Sequence, residues 1–179
     1  MANRLSLVVD PLTVSIVVSA SRERVFDYLQ DIANHPEFTD HYLVDWHLTR
    51  IDSVGLGAGA RYRVKAPGNR FSWGDATFVE VERPHRIVEA GRTGKNNRIR
   101  TMGVYELDPA SGGATKVSFT LETRPETFSD RLMEGLGARS WMRRKNRRAM
   151  RRLRSILEQP QGAPESRSER GRRVTVAGG

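Results

Sequence analysis

Two acidic residues sit where water is scarce in the pattern of the chain. Asp75 follows Ser72-Trp73-Gly74, and Glu89 follows Ile87-Val88, each inside a segment of alternating apolar residues. A carboxyl group withdrawn from water favours its neutral form and its pKa rises. That is the physical route to a general acid or base, and equally to a polar anchor for a ligand. On the register set by Val79 and Val81, Trp73, Asp75 and Thr77 share a face; on that set by Leu107, so do Thr101, Gly103 and Tyr105. Both sets are expected on one interior face, with Glu89 joining them two residues after Ile87. A bulge at Gly74 would turn Asp75 outward. Trp46, Tyr62, Trp73, Tyr105, Trp141 and Met142 supply walls for a flat or greasy ligand, or ordinary core. Gly103, lacking a side chain, leaves room for a ligand or for a neighbouring ring.

A second cluster is basic. Arg143, Arg144, Lys145, Arg147, Arg148, Arg151, Arg152 and Arg154 place eight cations within twelve residues. On a helix they wrap the solvent side. The plain reading is a solvated face with cations near the helix C-terminus, where the dipole favours them. The functional readings are docking on an anionic membrane surface, on RNA or on an acidic partner. The net charge of +9 sharpens the point once it is divided. Residues 1–127 carry 16 basic and 16 acidic side chains, residues 128–158 carry 10 and 3, and residues 159–179 carry 4 and 2. The body is neutral, so the basic character belongs to the C-terminal end.

Other chemistries lack their residues. The chain has no cysteine, which removes disulfides, thiolate nucleophiles and iron–sulfur ligation. Gly55, Gly57 and Gly59 precede an alternating strand rather than the helix a dinucleotide loop needs, so they are read as hairpin glycines. His35, His41, His47 and His85 form no metal template. Ser72 lies mid-strand, without the strand-to-helix turn that exposes a nucleophilic serine. No cofactor and no metal is expected. The longest apolar run, Leu12 to Ala20, is interrupted by Thr13, Ser15 and Ser19 and lacks a basic flank, so a soluble, cytoplasmic protein is expected.

These residues need elements to position them. Val14, Ile16 and Val18 alternate with Thr13, Ser15 and Val17 in a first strand, and Ser21 caps a helix from Arg22 to Gln30 carrying Val25, Phe26 and Leu29. Pro36 is expected to break it by disfavouring a helical His35, with at most a short second helix after it. The period then falls to two. Strands are predicted at Tyr42 to Ser53, Ala60 to Ala66, Phe71 to Glu82, Arg86 to Thr93, Arg98 to Leu107 and Thr115 to Thr123, seven with the first. One long amphipathic helix is predicted from Phe128 to Glu158, before Pro160. Residues 1–11 are an expected extension, 12–158 one domain and 159–179 a disordered tail. A curved antiparallel sheet needs its concave face covered, and the last helix is the candidate cover of sufficient length. A sheet that grips a helix without collapsing onto it leaves a cavity, the default small-molecule site.

This order resembles the helix-grip fold of the START-like SRPBCC superfamily, and within it the polyketide cyclase/dehydrase and lipid-transport-like proteins. The likeness is carried by Val14-Ser15-Ile16-Val17-Val18, by Val25-Phe26-Asp27-Tyr28-Leu29, and by the Gly55-Leu56-Gly57-Ala58-Gly59 hairpin. Val79-Glu80-Val81-Glu82-Arg83-Pro84-His85-Arg86-Ile87 and Gly103-Val104-Tyr105-Glu106-Leu107 complete it. It implies an α+β fold that binds a hydrophobic or aromatic small molecule or lipid between sheet and helix. Two alternatives stand beside that expectation. One is a cyclase, dehydratase or hydrolase using Asp75 or Glu89 with Tyr105; the other is an interaction protein docking on RNA, ribosome or anionic membrane through its basic helix.

Overall fold

The computed structural model describes residues 10–66, 73–94, 97–124 and 138–159. Period-two alternation produces seven strands: β1 (Leu12–Val18), β2 (Leu43–Leu48), β3 (Gly59–Val64), β4 (Trp73–Glu82), β5 (Arg86–Thr93), β6 (Ile99–Pro109) and β7 (Thr115–Arg124). They form one curved antiparallel sheet in the order β1-β7-β6-β5-β4-β3-β2. Every neighbour except β1–β7 is sequential, so hairpin connections set nearly all the registers.

Between β1 and β2 the chain makes α1 (Arg22–Leu29) and, after a 3₁₀ turn at Ile32–Asn34, α2 (His35–Thr39). The Ser21 hydroxyl accepts the Arg24 N–H at 3.3 Å, giving the expected cap. His35 nevertheless adopts the helical conformation, contrary to expectation. Pro36 sits in the first turn of α2, where the N–H that proline lacks has no helical partner to lose.

The helix α3 (Arg139–Glu158) lies over the concave face, against β1 and α2. The part of the expected helix at residues 128–137, and the tail at 160–179, lie outside the described residues. Ala149, Met150, Leu153 and Leu157 are buried in the same core as Val14 and Val18 of β1, Phe26 and Leu29 of α1, and Phe78, Ile87, Tyr105 and Val117 of the sheet. Polar contacts fix the register of α3. At its end Glu158 Oε1 accepts the Ser19 N–H at 2.8 Å, and towards its start the His41 Nε2–H donates to the Lys145 carbonyl at 3.1 Å. Leu153, fully buried, is expected to tighten this seat by its full apolar burial. Leu153→Ala should lower stability by about 2–5 kcal/mol, read as a lower urea midpoint at unchanged slope. A loss below about 1 kcal/mol would contradict the described docking of α3.

Candidate ligand site

Strand pairing sets a row across the concave face: Phe78 of β4, Glu89 of β5, Gly103 of β6 and Leu121 of β7. The room that Gly103 leaves is taken by Glu89. A Cβ at position 103 would stand 2.7 Å from Glu89 Cγ and still closer to the carboxyl, so any larger residue displaces that side chain. The glycine that the sequence marked as a vacancy is therefore the bed on which the carboxylate lies.

Aromatic rings surround this row. Trp46 and Tyr62 stack with centroids 4.8 Å apart, and Tyr105 packs on Phe119 at 4.6 Å. Trp46 reaches the core through an irregularity in β2. Asp45 takes φ of +54°, the register shifts between Val44 and His47, and Leu43 and Trp46 both pack on the core although three residues apart. Gly74 faces Tyr62, whose Cε2 would lie 3.1 Å from an added Cβ. From the helical side, His35 is ringed by Phe38, Phe78, Tyr105 and Trp46 at 5.2, 5.7, 5.8 and 6.3 Å, and Tyr42 meets Trp141 at 6.2 Å. Thr101 stands across from Gly91 on this face, and Met142 is partly buried at the start of α3. A cleft of about 80 Å³ opens there, lined by Leu12, Leu121, Thr123, Arg139 and Met142.

The enclosure is apolar, and the electrostatics follow from that. Burial pushes the Glu89 carboxyl up to about 7 from an ordinary 4.5. Burial likewise raises the phenols of Tyr42, Tyr62 and Tyr105, with the Glu89 charge as the second cause in each. His35 is pushed down to about 4 by burial, against the opposing pull of the Leu29 carbonyl that accepts its Nε2–H at 2.9 Å. Tyr42 donates its hydroxyl proton to Asn146 Oδ1 at 2.8 Å. Asn146 Nδ2, on a side chain only 2 % exposed, has no partner among the described residues. There the Glu89 carboxyl and the hydroxyls of Tyr62 and Tyr105 make no hydrogen bond either. Buried polar groups are nearly always paired, so the Asn146 amide is the exception on this face, whereas the partly buried Glu89 and Tyr62 keep some accessible surface.

Two sequence expectations are corrected. Trp73 and Asp75 face the outside of the sheet. Trp73 pairs across from Arg63, carries the Arg61 guanidinium 5.1 Å from its ring centre and is 40 % exposed. Asp75 Oδ1 accepts the Arg92 N–H at 2.8 Å. The cause is a register shift between Phe78 and Glu80, not at Gly74. It makes Gly74, Ala76 and Phe78 the inner residues ahead of the shift, so a phase carried back from Val79 and Val81 is inverted there. The eight cations of α3 also separate. Arg152 pairs with Asp40, Arg154 with Glu158 at 3.7 Å, and the Lys145 ammonium lies 5.5 Å over the Trp141 ring. Arg143, Arg144, Arg147, Arg148 and Arg151 are exposed with no carboxylate in ion-pair range among the described residues.

His35, Tyr42 and Asn146 join the site without having been anticipated. Asn146 had a signal: Met142, Asn146, Ala149 and Leu153 follow helical spacing, which places the amide on the buried stripe. Among the described residues no group of three or more His, Asp or Glu side chains is placed to hold a metal, and no helix is long and apolar enough to cross a membrane.

A curved seven-stranded sheet gripping a C-terminal helix, with a part-polar interior between them, defines a helix-grip protein. The family model described as polyketide cyclase / dehydrase and lipid transport matches residues 11–158, and the chain belongs to that family. No curated protein matches the sequence. Among solved structures, the KanY protein in solution aligns at a TM-score of 0.67 with 14 % identity over 84 % of this chain and 98 % of its own. The TTHA0849 protein of Thermus thermophilus aligns at 0.63 with 13 % identity, over 83 % of this chain and 97 % of its own. Major latex-like protein 151 of Panax ginseng aligns at 0.63 with 12 % identity, over 84 % and 98 %. At these identities the likeness is one of fold.

The buried carboxyl makes stability depend on pH. Below about 4.5 Glu89 is protonated in the folded and unfolded chain; between 4.5 and about 7 only the unfolded chain releases its proton, so rising pH destabilises the fold. His35 acts in the opposite sense, adding stability as pH rises from about 4 to 6.5. Glu89→Gln removes the first effect and keeps the second. Relative to wild type the variant should gain stability between pH 4.5 and 7, reaching on the order of 3 kcal/mol above that range. Urea denaturation of both proteins across pH checks this, and a difference that stays flat with pH would refute it.

Proposed function

We propose that the protein binds a hydrophobic or aromatic small molecule between the concave face of the sheet and α3. The observation that carries this reading is the buried Asn146 Nδ2 donor, without a partner among the described residues, on the side of the sheet where the Glu89 carboxyl and the rings of Trp46, Tyr62 and Tyr105 lie. Supporting it, Trp46, Tyr62, Glu89, Leu121, Trp141 and Met142 keep some accessible surface although they belong to the concave side. Surface left on the concave side is space a ligand can fill. Family membership agrees with this class of ligand. A conversion of the bound molecule would have to use Glu89 with Tyr105, because Asp75 lies on the other face.

Binding should change the fluorescence of Trp46 and Trp141, which stand at the site. Titration with a panel of aromatic and isoprenoid compounds is expected to give a saturable change with at least one, abolished in Tyr62→Ala, which keeps both reporting tryptophans. No saturable response across the panel would defeat the reading.

A second reading rests on the five unpaired arginines. At 100° per residue, Arg143, Arg144, Arg147, Arg148 and Arg151 occupy an arc of about 140° on the water side of α3. Like charges four residues apart disfavour the helix, so the stripe is destabilising without an anion opposite. We propose that it docks on an anionic bilayer, where an apolar ligand would be taken up or delivered. Each cation near such a surface contributes about 1 kcal/mol. Sedimentation with vesicles containing phosphatidylserine should capture the protein at low salt and release it at high salt, and changing all five arginines to Gln should abolish capture. Equal capture of the five-fold variant, or capture by neutral vesicles, would overturn this reading, as would a preference for RNA over vesicles in competition.

A further inference from the structure

The outer face of the sheet, away from α3, carries charge that the interior site does not use. Strand register places Arg92 of β5 beside Arg100 of β6, and Arg100 beside Arg124 of β7. Each lies three residues from a member of the inward row Glu89, Gly103 and Leu121, so alternation turns it outward. Adjacent strands are about 4.8 Å apart, so three exposed guanidinium side chains stand in one short row. Like charges directly opposite one another destabilise a sheet. Elsewhere this face avoids that arrangement: Glu82, Arg86 and Glu106 alternate in sign across β4, β5 and β6, and Asp108 faces Lys116. The arginine row is the departure. Glu122 relieves it at one end, 3.8 Å from Arg124, and Arg92 has no carboxylate in ion-pair range among the described residues.

Along the row runs a groove of about 420 Å³, within the range of small-molecule sites. Ala90 and Met102, in register on β5 and β6, give it an apolar floor, and Asp75 and Glu122 add two half-buried carboxylates to its lining. Asp75 is fixed in place. Its Oδ1 accepts the Arg92 N–H at 2.8 Å, and β4 approaches Gly91 so closely that a Cβ there would overlap the Asp75 carbonyl.

A guanidinium fork matches the oxygens of a phosphate, and a phosphate monoester brings close to two negative charges to the row. A bare anion would also face Asp75 and Glu122, which repel it. A ligand that carries hydroxyl groups beside its phosphate meets both signs, because a carboxylate accepts what a hydroxyl donates. Its carbon skeleton can rest on Ala90 and Met102. We propose that this groove binds the phosphate ester of a hydroxyl-bearing small molecule, with the phosphate on Arg92, Arg100 and Arg124 and the hydroxyls towards Asp75 and Glu122. The site lies on the opposite side of the sheet from the interior and is independent of what the interior holds.

Calorimetric titration of the full chain with ribose 5-phosphate, AMP, inorganic phosphate and ribose tests this. At least one ester should bind about tenfold tighter than inorganic phosphate, ribose should not bind, and added salt should weaken the ester. A tighter AMP assigns the site to nucleotides, and a tighter or equal ribose 5-phosphate assigns it to sugar phosphates. Changing Arg92 and Arg124 together to Gln should lower ester affinity by tenfold or more at an unchanged urea midpoint. Glu122→Gln should shrink the preference for the ester over inorganic phosphate, since it removes the repulsion of the bare anion. In the unaltered protein the amide resonances that move with ribose 5-phosphate should be those of Asp75, Arg92, Met102 and Arg124, a readout that needs no variant to fold. Inorganic phosphate binding as tightly as both esters, a preference unchanged in Glu122→Gln, equal ester affinity in the double variant, or shifts confined to α3 would each overturn the proposal. So would an RNA oligonucleotide that binds where neither ester does, which marks a surface for polyanions instead.

Discussion

Ala149, Leu153 and Leu157 seat α3 on the core beside β1, and that seat decides what the remaining strands can do. The helix is pinned to one edge of the sheet by Glu158 at Ser19 and to α2 and the residues just after it by His41 and Tyr42. Its apolar stripe is used where β1 lies. The inner faces of β3, β5 and β6 are left to be covered by side chains from the segment between β1 and β3, chiefly His35, Phe38, Tyr42 and Trp46. The polar residues of the site are found under this part of the cover.

The architecture was legible because each of its elements writes its own period. The alternation in Gly59–Val64 and Thr115–Arg124 leaves no choice but half-buried strands, and the helical spacing from Met142 to Leu157 leaves no choice but a helix with one dry face. The family likeness drawn from the same segments agrees with the match over residues 11–158. Face assignment was harder, because parity is carried along a strand only while the ladder is regular. The shift between Phe78 and Glu80 inverted the reading of Trp73 and Asp75, and nothing in Thr77-Phe78-Val79-Glu80 announces it. Asp45 is the contrary case. Aspartate tolerates the left-handed conformation better than most residues, so Val44-Asp45-Trp46 carried a faint signal of the irregularity that turns Trp46 inward.

The interior polar residues show a different limit. Glu89 was visible as a carboxyl in an apolar strand, and Gly103 as a missing side chain, but their relation was not. They are fourteen positions apart in sequence and become opposite neighbours through the register of β5 on β6. Tyr42 and Asn146 are separated by 104 positions and meet only because α2 touches α3. Pairings of this kind are set by tertiary packing, to which local pattern has no access.

Asn146 bears on the whole electrical plan of the molecule. It sits between Lys145 and Arg147 in the most basic stretch of the chain, and it is the one polar residue among the five buried positions of α3. An arginine or lysine there would have entered the same enclosure as Glu89. It would have neutralised the carboxyl as an ion pair and drawn its pKa down. An amide does neither. It can satisfy Tyr42 on one side and still offer a donor on the other, without adding charge to a space that holds none in offset. The interior thus stays near neutrality while the opposite side of the same helix concentrates positive charge in water. Such a separation costs little on the wet face, where solvent and salt screen the arginines, and would be prohibitive inside. The helix can carry both because its period of about 3.6 residues keeps position 146 out of the arc that holds 143, 147 and 151.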